Sequence, residues 1–274
     1  MPTTSLPPNY GIDAPRAVSV LILLSVLAGG LAALLYGLGL LHLLGVLLVA
    51  IALVIVAVDL LVVAAAMLWY SKVGKLRQRD RLLDTFAWRG DERVLDVGCG
   101  RGLLLLGAAQ RLTTGTAAGV DLWSGVDLSG NRPEATLENA RRAGVADRVE
   151  VKDGDAQRLP FADASFDAII SSLVLHNIPS QDGRRQAVRE IARVLKPGGQ
   201  IAILDLRHTS DYVHVLRQCG LPDARRSRVG LFLTWLFPLF TCGAVRFYRV
   251  TGRKASEKTI PRTMADQVSR DQPV

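Results

Sequence analysis

Between Ala17 and Tyr70 the chain is almost continuously apolar, and the only ionisable side chains there are His42, Asp59 and the tyrosines. A hydrocarbon layer about 30 Å thick is crossed by about 20 helical residues. The stretch therefore has room for two spans, Ala17–Tyr36 and Leu43–Trp69, with a turn at Gly37-Leu38-Gly39. Soluble helices keep a polar face, and neither segment has one, which weighs against a pair of buried core helices. The stretch also runs well past the roughly 7–15 apolar residues of a cleaved signal peptide. It reads as a transmembrane helical hairpin over 17–70, preceded by an N-terminal tail over 1–16.

Basic residues give the orientation. Lys72, Lys75, Arg77, Arg79 and Arg81 follow the second span, whereas the connecting turn has no Lys or Arg. The positive-inside rule then puts both termini on the cytoplasmic side, so the expected location is a multi-pass membrane protein whose soluble part faces the cytoplasm. Trp69 and Tyr70 fall where an aromatic belt meets the headgroups. Asp59 is costly inside a span and reads as a protonated or helix-paired acid. The net charge of +8 and pI of 9.8 invite a nucleic-acid partner. No basic run interleaved with aromatics occurs in the globular part, so none is expected, and the juxtamembrane cations suit anionic headgroups. Cys99, Cys219 and Cys242 show neither paired nor metal-ligand spacing. Free thiols in a reducing compartment fit them, and no metal site is expected.

The remainder divides into a basic amphipathic linker helix over 71–90, a globular domain over 91–252 and a polar tail over 253–274. The linker's apolar residues, Val73, Leu76, Leu82, Leu83, Phe86 and Trp88, recur at near-helical intervals and are expected to pack on the domain. Beyond Arg93, short apolar runs alternate with amphipathic stretches, the pattern of βαβ units and a parallel sheet. Strands are expected at Val94–Val97, Ala117–Asp121, Val149–Lys152, Phe166–Ser171 and Gln200–Leu206. Helices are expected at Leu103–Leu112, Pro133–Ala143 and Arg184–Leu195, the last stopped by Lys196-Pro197-Gly198-Gly199. Val229–Val245 is apolar but only 17 residues long and interrupted by Pro238. It reads as the tail of the sheet, with Val245–Val250 as a final strand, and a third span is the alternative.

The first strand runs into Asp96-Val97-Gly98-Cys99-Gly100-Arg101-Gly102, directly before a helix. Glycines let the backbone turn tightly and approach a ligand at a helix N-terminus. The spacing is G-x-G-x-G, whereas the dinucleotide fingerprint is G-x-G-x-x-G, which argues against a nicotinamide-dependent oxidoreductase. A carboxylate at Asp96 would repel a pyrophosphate and suit an ammonium group. Asp121 closes the second strand, where a carboxylate accepts hydrogen bonds from ribose hydroxyls. Asp155, in Asp153-Gly154-Asp155-Ala156, follows the third strand, placed for the edge of a base.

From Arg93 to Leu206 the sequence resembles the class I methyltransferases, in particular small-molecule enzymes similar to the ubiquinone/menaquinone C-methyltransferases. The resemblance is carried by Val94-Leu95-Asp96-Val97-Gly98-Cys99-Gly100, Gly119-Val120-Asp121, Asp153-Gly154-Asp155-Ala156, Leu159-Pro160-Phe161, Ser165-Phe166-Asp167 and Glu190–Gly199. It implies an α/β fold, a Rossmann-like seven-stranded sheet with helices on both faces and an antiparallel last strand. It also implies S-adenosylmethionine as donor, held by Asp96, Gly98, Cys99, Gly100, Gly102, Asp121, Leu122, Asp155, Ala156 and Ser171. The hairpin lies outside it. Within it, the segment Leu122–Arg132 departs from the pattern by its length and is read either as a surface excursion or as a lid or substrate-lining loop, in which Trp123 stacks on a base, covers the site or pins the segment to the domain.

Methyl transfer asks the protein mainly for positioning, with a general base where the acceptor loses a proton. His176, just after the fourth strand, is the candidate catalytic residue, since histidine exchanges protons near neutral pH. His208 is a second candidate, Asp205 an orienting group, and His214 a helix-surface residue. The expected function is a membrane-tethered methyltransferase acting on a hydrophobic small molecule or lipid-like acceptor. The alternative is a non-catalytic S-adenosylmethionine-binding membrane adaptor or sensor.

Overall fold

A computed structural model describes residues 6–38, 43–126, 128–229 and 246–256. The apolar stretch forms α1 (Pro15–Gly37) and α2 (Leu44–Trp69), packed on each other through small side chains. Ser25, Ala32, Ala50 and Ala64 are buried between them, and Ser25 Oγ donates to the Ala57 carbonyl at 2.7 Å. Small residues let two helix backbones come close. The large side chains point outward, with Leu23, Leu27, Leu48 and Ile55 each more than half exposed. Both helices are long and apolar enough to cross a membrane. Asp59 sits on the exposed face of α2 with no partner among the described residues, so it is not paired with α1.

The linker differs from the sequence reading. It is a π-helical turn, Tyr70–Gly74, followed by a short α3 (Lys75–Leu83), and the chain from Asp84 to Gly90 is not helical. Trp88 Nε1 donates to the Leu83 carbonyl at 2.9 Å and so satisfies one of the last helix acceptors. Leu82 and Leu83 are fully buried against Leu105 and Leu106, so the linker does pack on the domain.

The domain contains β1 (Arg93–Val97), α4 (Leu103–Ala109), β2 (Thr116–Asp121), α5 (Pro133–Arg142), β3 (Val149–Asp153) and β4 (Phe166–Ser172). These are followed by α6 (Gln181–Val194), β5 (Leu195–Asp205), α7 (Thr209–Gln218), β6 (Arg225–Arg228) and β7 (Tyr248–Arg253). The sheet order is β3-β2-β1-β4-β5-β7-β6, and β7 runs antiparallel to both its neighbours. Successive strand residues alternate between faces. Leu95, Ile169 and Ile201 enter one core cluster with Ile191 of α6 and Tyr212 of α7. Val94, Ala168, Ile170 and Ala202 enter the other, with the leucines of α3 and α4.

Three boundaries differ from expectation. The α4 helix stops at Ala109, and Leu112 is buried in the turn that follows. The Lys196-Pro197-Gly198-Gly199 segment lies within β5, where the pairing with β4 jumps from Phe166–Leu195 to Ala168–Gln200. Lys254 Nζ closes the end of α6 by donating to the Ala192 and Leu195 carbonyls. The last strand begins at Tyr248 rather than Val245, and the segment 230–245, including any third span, lies outside the described residues. Most of the expected polar tail, 257–274, does too.

The strand order reverses between β1 and β4, and open α/β sheets bind ligands at such a switch point, outside the carboxyl ends of the strands. The N-terminal segment crosses toward this end. Asn9 exchanges hydrogen bonds with Asn139 of α5, both at 2.9 Å, and Ile12 N donates to Ser129 Oγ at 2.8 Å. Residues 9–13 are thus a strap on the domain, not a free tail.

Candidate active site

The glycine turn joins β1 to α4. Gly98, Gly100 and Gly102 have φ of +74°, +50° and +87°, values L side chains rarely adopt. A Cβ at Gly98 would overlap Val174, and one at Gly100 would lie 2.9 Å from Leu128. From outside, α5 holds the turn: Thr136 Oγ1 donates to the Gly100 carbonyl at 2.6 Å and Asn139 Nδ2 to the Arg101 carbonyl at 2.9 Å.

Asp96 is buried at the base of the turn. Its Oδ2 accepts from Leu105 N at 2.8 Å, whereas its Oδ1 is buried without a partner. Burial pushes its pKa up to about 8, and the nearby Asp121 charge adds to the rise. Asp121 accepts from Gly100 N at 2.8 Å through Oδ2, and from Trp123 N and Asn131 Nδ2 through Oδ1. Asp155 accepts from Gln157 N at 2.9 Å.

These carboxylates, with Gly98, Cys99, Gly100, Leu122 and Ala156, line one cavity of about 790 Å³. That is toward the upper end of the roughly 300–1,000 Å³ usual for small-ligand sites. Cys99 packs beneath Gly119, and burial pushes its thiol pKa up, which leaves it unreactive. Gly102 starts α4 without lining the cavity. Ser171 is also outside it. The side chain is fully buried and donates to the Val97 carbonyl at 2.8 Å, joining β4 to β1, and the neighbouring Ser172 is the wall residue.

His176 lies in a 3₁₀ turn, Leu175–Asn177, on the other side of the switch point and lines the same cavity. Its Nδ1 is 2.5 Å from Asp205 Oδ1, and its backbone N donates to Asp205 Oδ2 at 3.0 Å. Asp205, at the end of β5, also accepts from Leu206 N at 2.8 Å and from the Tyr212 hydroxyl at 3.2 Å. Burial raises the Tyr212 pKa, with the Asp205 charge adding to the effect, so the hydroxyl keeps its proton and donates. Nδ1 makes no hydrogen bond in this geometry, so Asp205 holds the turn through the His176 backbone amide and contacts the ring. His208 is exposed at the start of α7 and does not line the cavity, and His214 lies on the exposed face of α7 beside Gln218.

The long segment after β2 contributes Leu122, Ser124, Val126, Leu128 and Asn131 to the wall. Trp123 does not line it. Its Nε1 donates to Asp153 Oδ1 at 2.6 Å, which pins the segment to β3. The sequence reading did not foresee the opposite wall, formed by Tyr10 and Asp13 of the strap, Ala17 of α1, Val63 and Met67 of α2, and Tyr70 and Lys75 beyond it. Lys75 Nζ donates to the Tyr10 and Gly11 carbonyls at 3.0 and 2.9 Å and lies 3.4 Å from Asp13 Oδ1. In a regular helix, residues five apart point about 140° away from each other. The π-helical turn between Tyr70 and Lys75 lets both meet the cavity.

Residues 95–203 match the protein family described as a methyltransferase domain. The chain carries a class I, S-adenosylmethionine-dependent methyltransferase domain. Over 153 residues it is 36% identical to 27-O-demethylrifamycin SV methyltransferase of Amycolatopsis mediterranei, covering 56% of this chain and 50% of that protein. It is 34% identical to a ubiquinone/menaquinone biosynthesis C-methyltransferase of Geotalea daltonii, covering 41% and 45%. The chain thus spans about half the length of these curated relatives. The methyltransferase domain also shares its fold with geranyl diphosphate C-methyltransferase of Streptomyces coelicolor A3(2), solved with Mg2+, geranyl diphosphate and S-adenosyl-L-homocysteine. That likeness has a TM-score of 0.53 at 16% identity and covers 70% of this chain and 82% of that one.

Proposed function

We propose that the whole chain is a membrane-tethered methyltransferase, its domain on the cytoplasmic side, acting on a hydrophobic small molecule or lipid-like acceptor. The carrying observation is that one cavity joins the glycine turn, the His176–Asp205 pair and the domain-proximal ends of two membrane-length apolar helices.

The residues suit the donor. The partnerless Asp96 Oδ1 is a buried acceptor that the donor's ammonium group would satisfy. The Asp121 carboxylate would accept from ribose hydroxyls, and Gly98, Cys99, Gly100, Leu122, Asp155 and Ala156 would line the rest of the donor. Ser171 would act by holding β4 against β1. Bound S-adenosylmethionine supplies a methyl group already activated by a sulfonium.

The protein's own part is to align the acceptor, exclude water and take a proton. Asp205 holds the His176 turn through its backbone amide, and Nε2 receives the proton that an acceptor hydroxyl or acidic C–H gives up. Relatives of this chain act on a rifamycin and on quinone precursors, as their names state, and such apolar acceptors fit a cavity walled by Leu173, Leu206 and Phe247.

Reconstituted protein given methyl-labelled donor and host lipid extract should put label into the organic phase. Label appearing only in a water-soluble acceptor would overturn the lipid assignment. Donor binding without turnover across a broad acceptor panel would overturn catalysis.

A further inference from the structure

Resting on the membrane and methyltransferase readings above, we propose that the acceptor reaches the site sideways, past the domain-proximal ends of α1 and α2. It would be an amphiphile with one long apolar tail, its polar head at His176 and its tail left along Ala17, Val63 and Met67. The hairpin would then be part of the acceptor site as well as an anchor.

The cavity is graded. Three of its carboxylates, Asp96, Asp121 and Asp155, lie at the glycine-turn and β2–β3 side, and Asp13 lies on the strap, where it faces Lys75. Residues from the hairpin helices that line it are apolar apart from Arg16 in the first turn of α1: Ala17, Val63 and Met67. Val63 and Met67 are one helical turn apart and share a face, giving a strip about 6 Å long. That is about the width of one polymethylene or polyprenyl chain. Val63 is buried, although most large side chains on α2 point outward. The facing walls, Leu173, Leu206 and Phe247, come from the domain and are apolar as well. His176 provides the polar end. The strap closes a different flank, where Tyr10 and Gly11 carbonyls and Asp13 occupy the Lys75 ammonium. That lysine therefore adds no unpaired charge to the tail path, and Arg16, in the first turn of α1, is the charged hairpin residue on the wall.

The test uses the full chain in phosphatidylcholine vesicles containing hexadecanoic acid with a mid-chain diazirine. After irradiation, labelled peptides are mapped. The proposal expects adducts at Val63, Met67 and Leu173 as well as on the outward residues Leu23, Leu27 and Ile55. It also expects about tenfold less labelling of Leu173, or about 1.4 kcal/mol, in Met67→Trp and in Ala17→Phe. Donor affinity, measured by calorimetry, reports whether each variant is folded, and the two variants obstruct the path from different helices. Adducts confined to outward residues would overturn the lateral path and leave the membrane reading standing. No adducts on either face of the hairpin would overturn both.

Discussion

Asp96 combines two demands that a carboxylate rarely meets together. It caps the start of α4 through Oδ2 and keeps a buried, partnerless Oδ1 in the cavity. Because burial holds its pKa near 8, the free domain keeps the proton at pH 7, whereas an ammonium ligand favours the ionised form. Donor binding at pH 7 should therefore release up to about one proton, visible as a binding heat that varies with buffer ionisation enthalpy, and the release should fade by pH 9. Asp96→Asn keeps an acceptor for Leu105 N but removes the charge, and should weaken donor binding about 10- to 100-fold, roughly 1.4–2.8 kcal/mol. The same group affects stability. Between its unfolded pKa of about 3.9 and its folded value, the native chain holds more protons than the unfolded one, so its contribution falls as pH rises. Without donor, the loss of thermal stability between pH 5 and pH 8 should be smaller in Asp96→Asn than in the wild type. His176→Gln should lower kcat by about 10²–10⁴-fold, with donor affinity unchanged in calorimetry.

At the scale of elements, legibility in the sequence followed the kind of force involved. The inner parallel strands and the glycine turn were readable because burial on both sheet faces writes apolar runs and positive φ selects glycine, whereas the edge strand β3 showed only in the alternation of Val149 and Val151 with polar residues. Strand β6 was not, since Arg225-Arg226-Ser227-Arg228 has no apolar residue, and it pairs as an edge strand through its backbone and the stacking of Arg226 on Tyr248. Ser171 was misplaced by one position: adjacent strand residues face opposite ways, and Ser172 takes the cavity side. The strap was invisible because its partners Asn139, Ser129 and Lys75 are far apart in sequence and show no period. Its hold rests heavily on Lys75. Lys75→Met should raise hydrogen exchange of the Gly11, Ile12 and Asp13 amides about tenfold or more, equivalent to about 1.4 kcal/mol, with β1 and β4 amides unchanged.

Over the whole molecule, the glycine-turn half of the cavity lies in the methyltransferase domain, whereas the other half depends on what is attached to it. Protease digestion in oriented membrane vesicles should find the domain on the cytoplasmic face, and Gln at Lys72, Arg77 and Arg81 should raise the fraction inserted the other way, as expected when basic flanks set topology. The π-helical turn Tyr70–Gly74 has a further consequence. It gives the joint between hairpin and domain a rotational phase, as between meshed gears. One alanine inserted after Met67 would leave α2 long enough to span, yet turn Val63 and Met67 by about 100° and shift them about 1.5 Å relative to the domain. Acceptor turnover should fall while donor binding persists; a second insertion designed to restore the phase should recover part of it. An anchor of equal length and hydrophobicity taken from another protein would then not substitute unless it met the domain at the same angle.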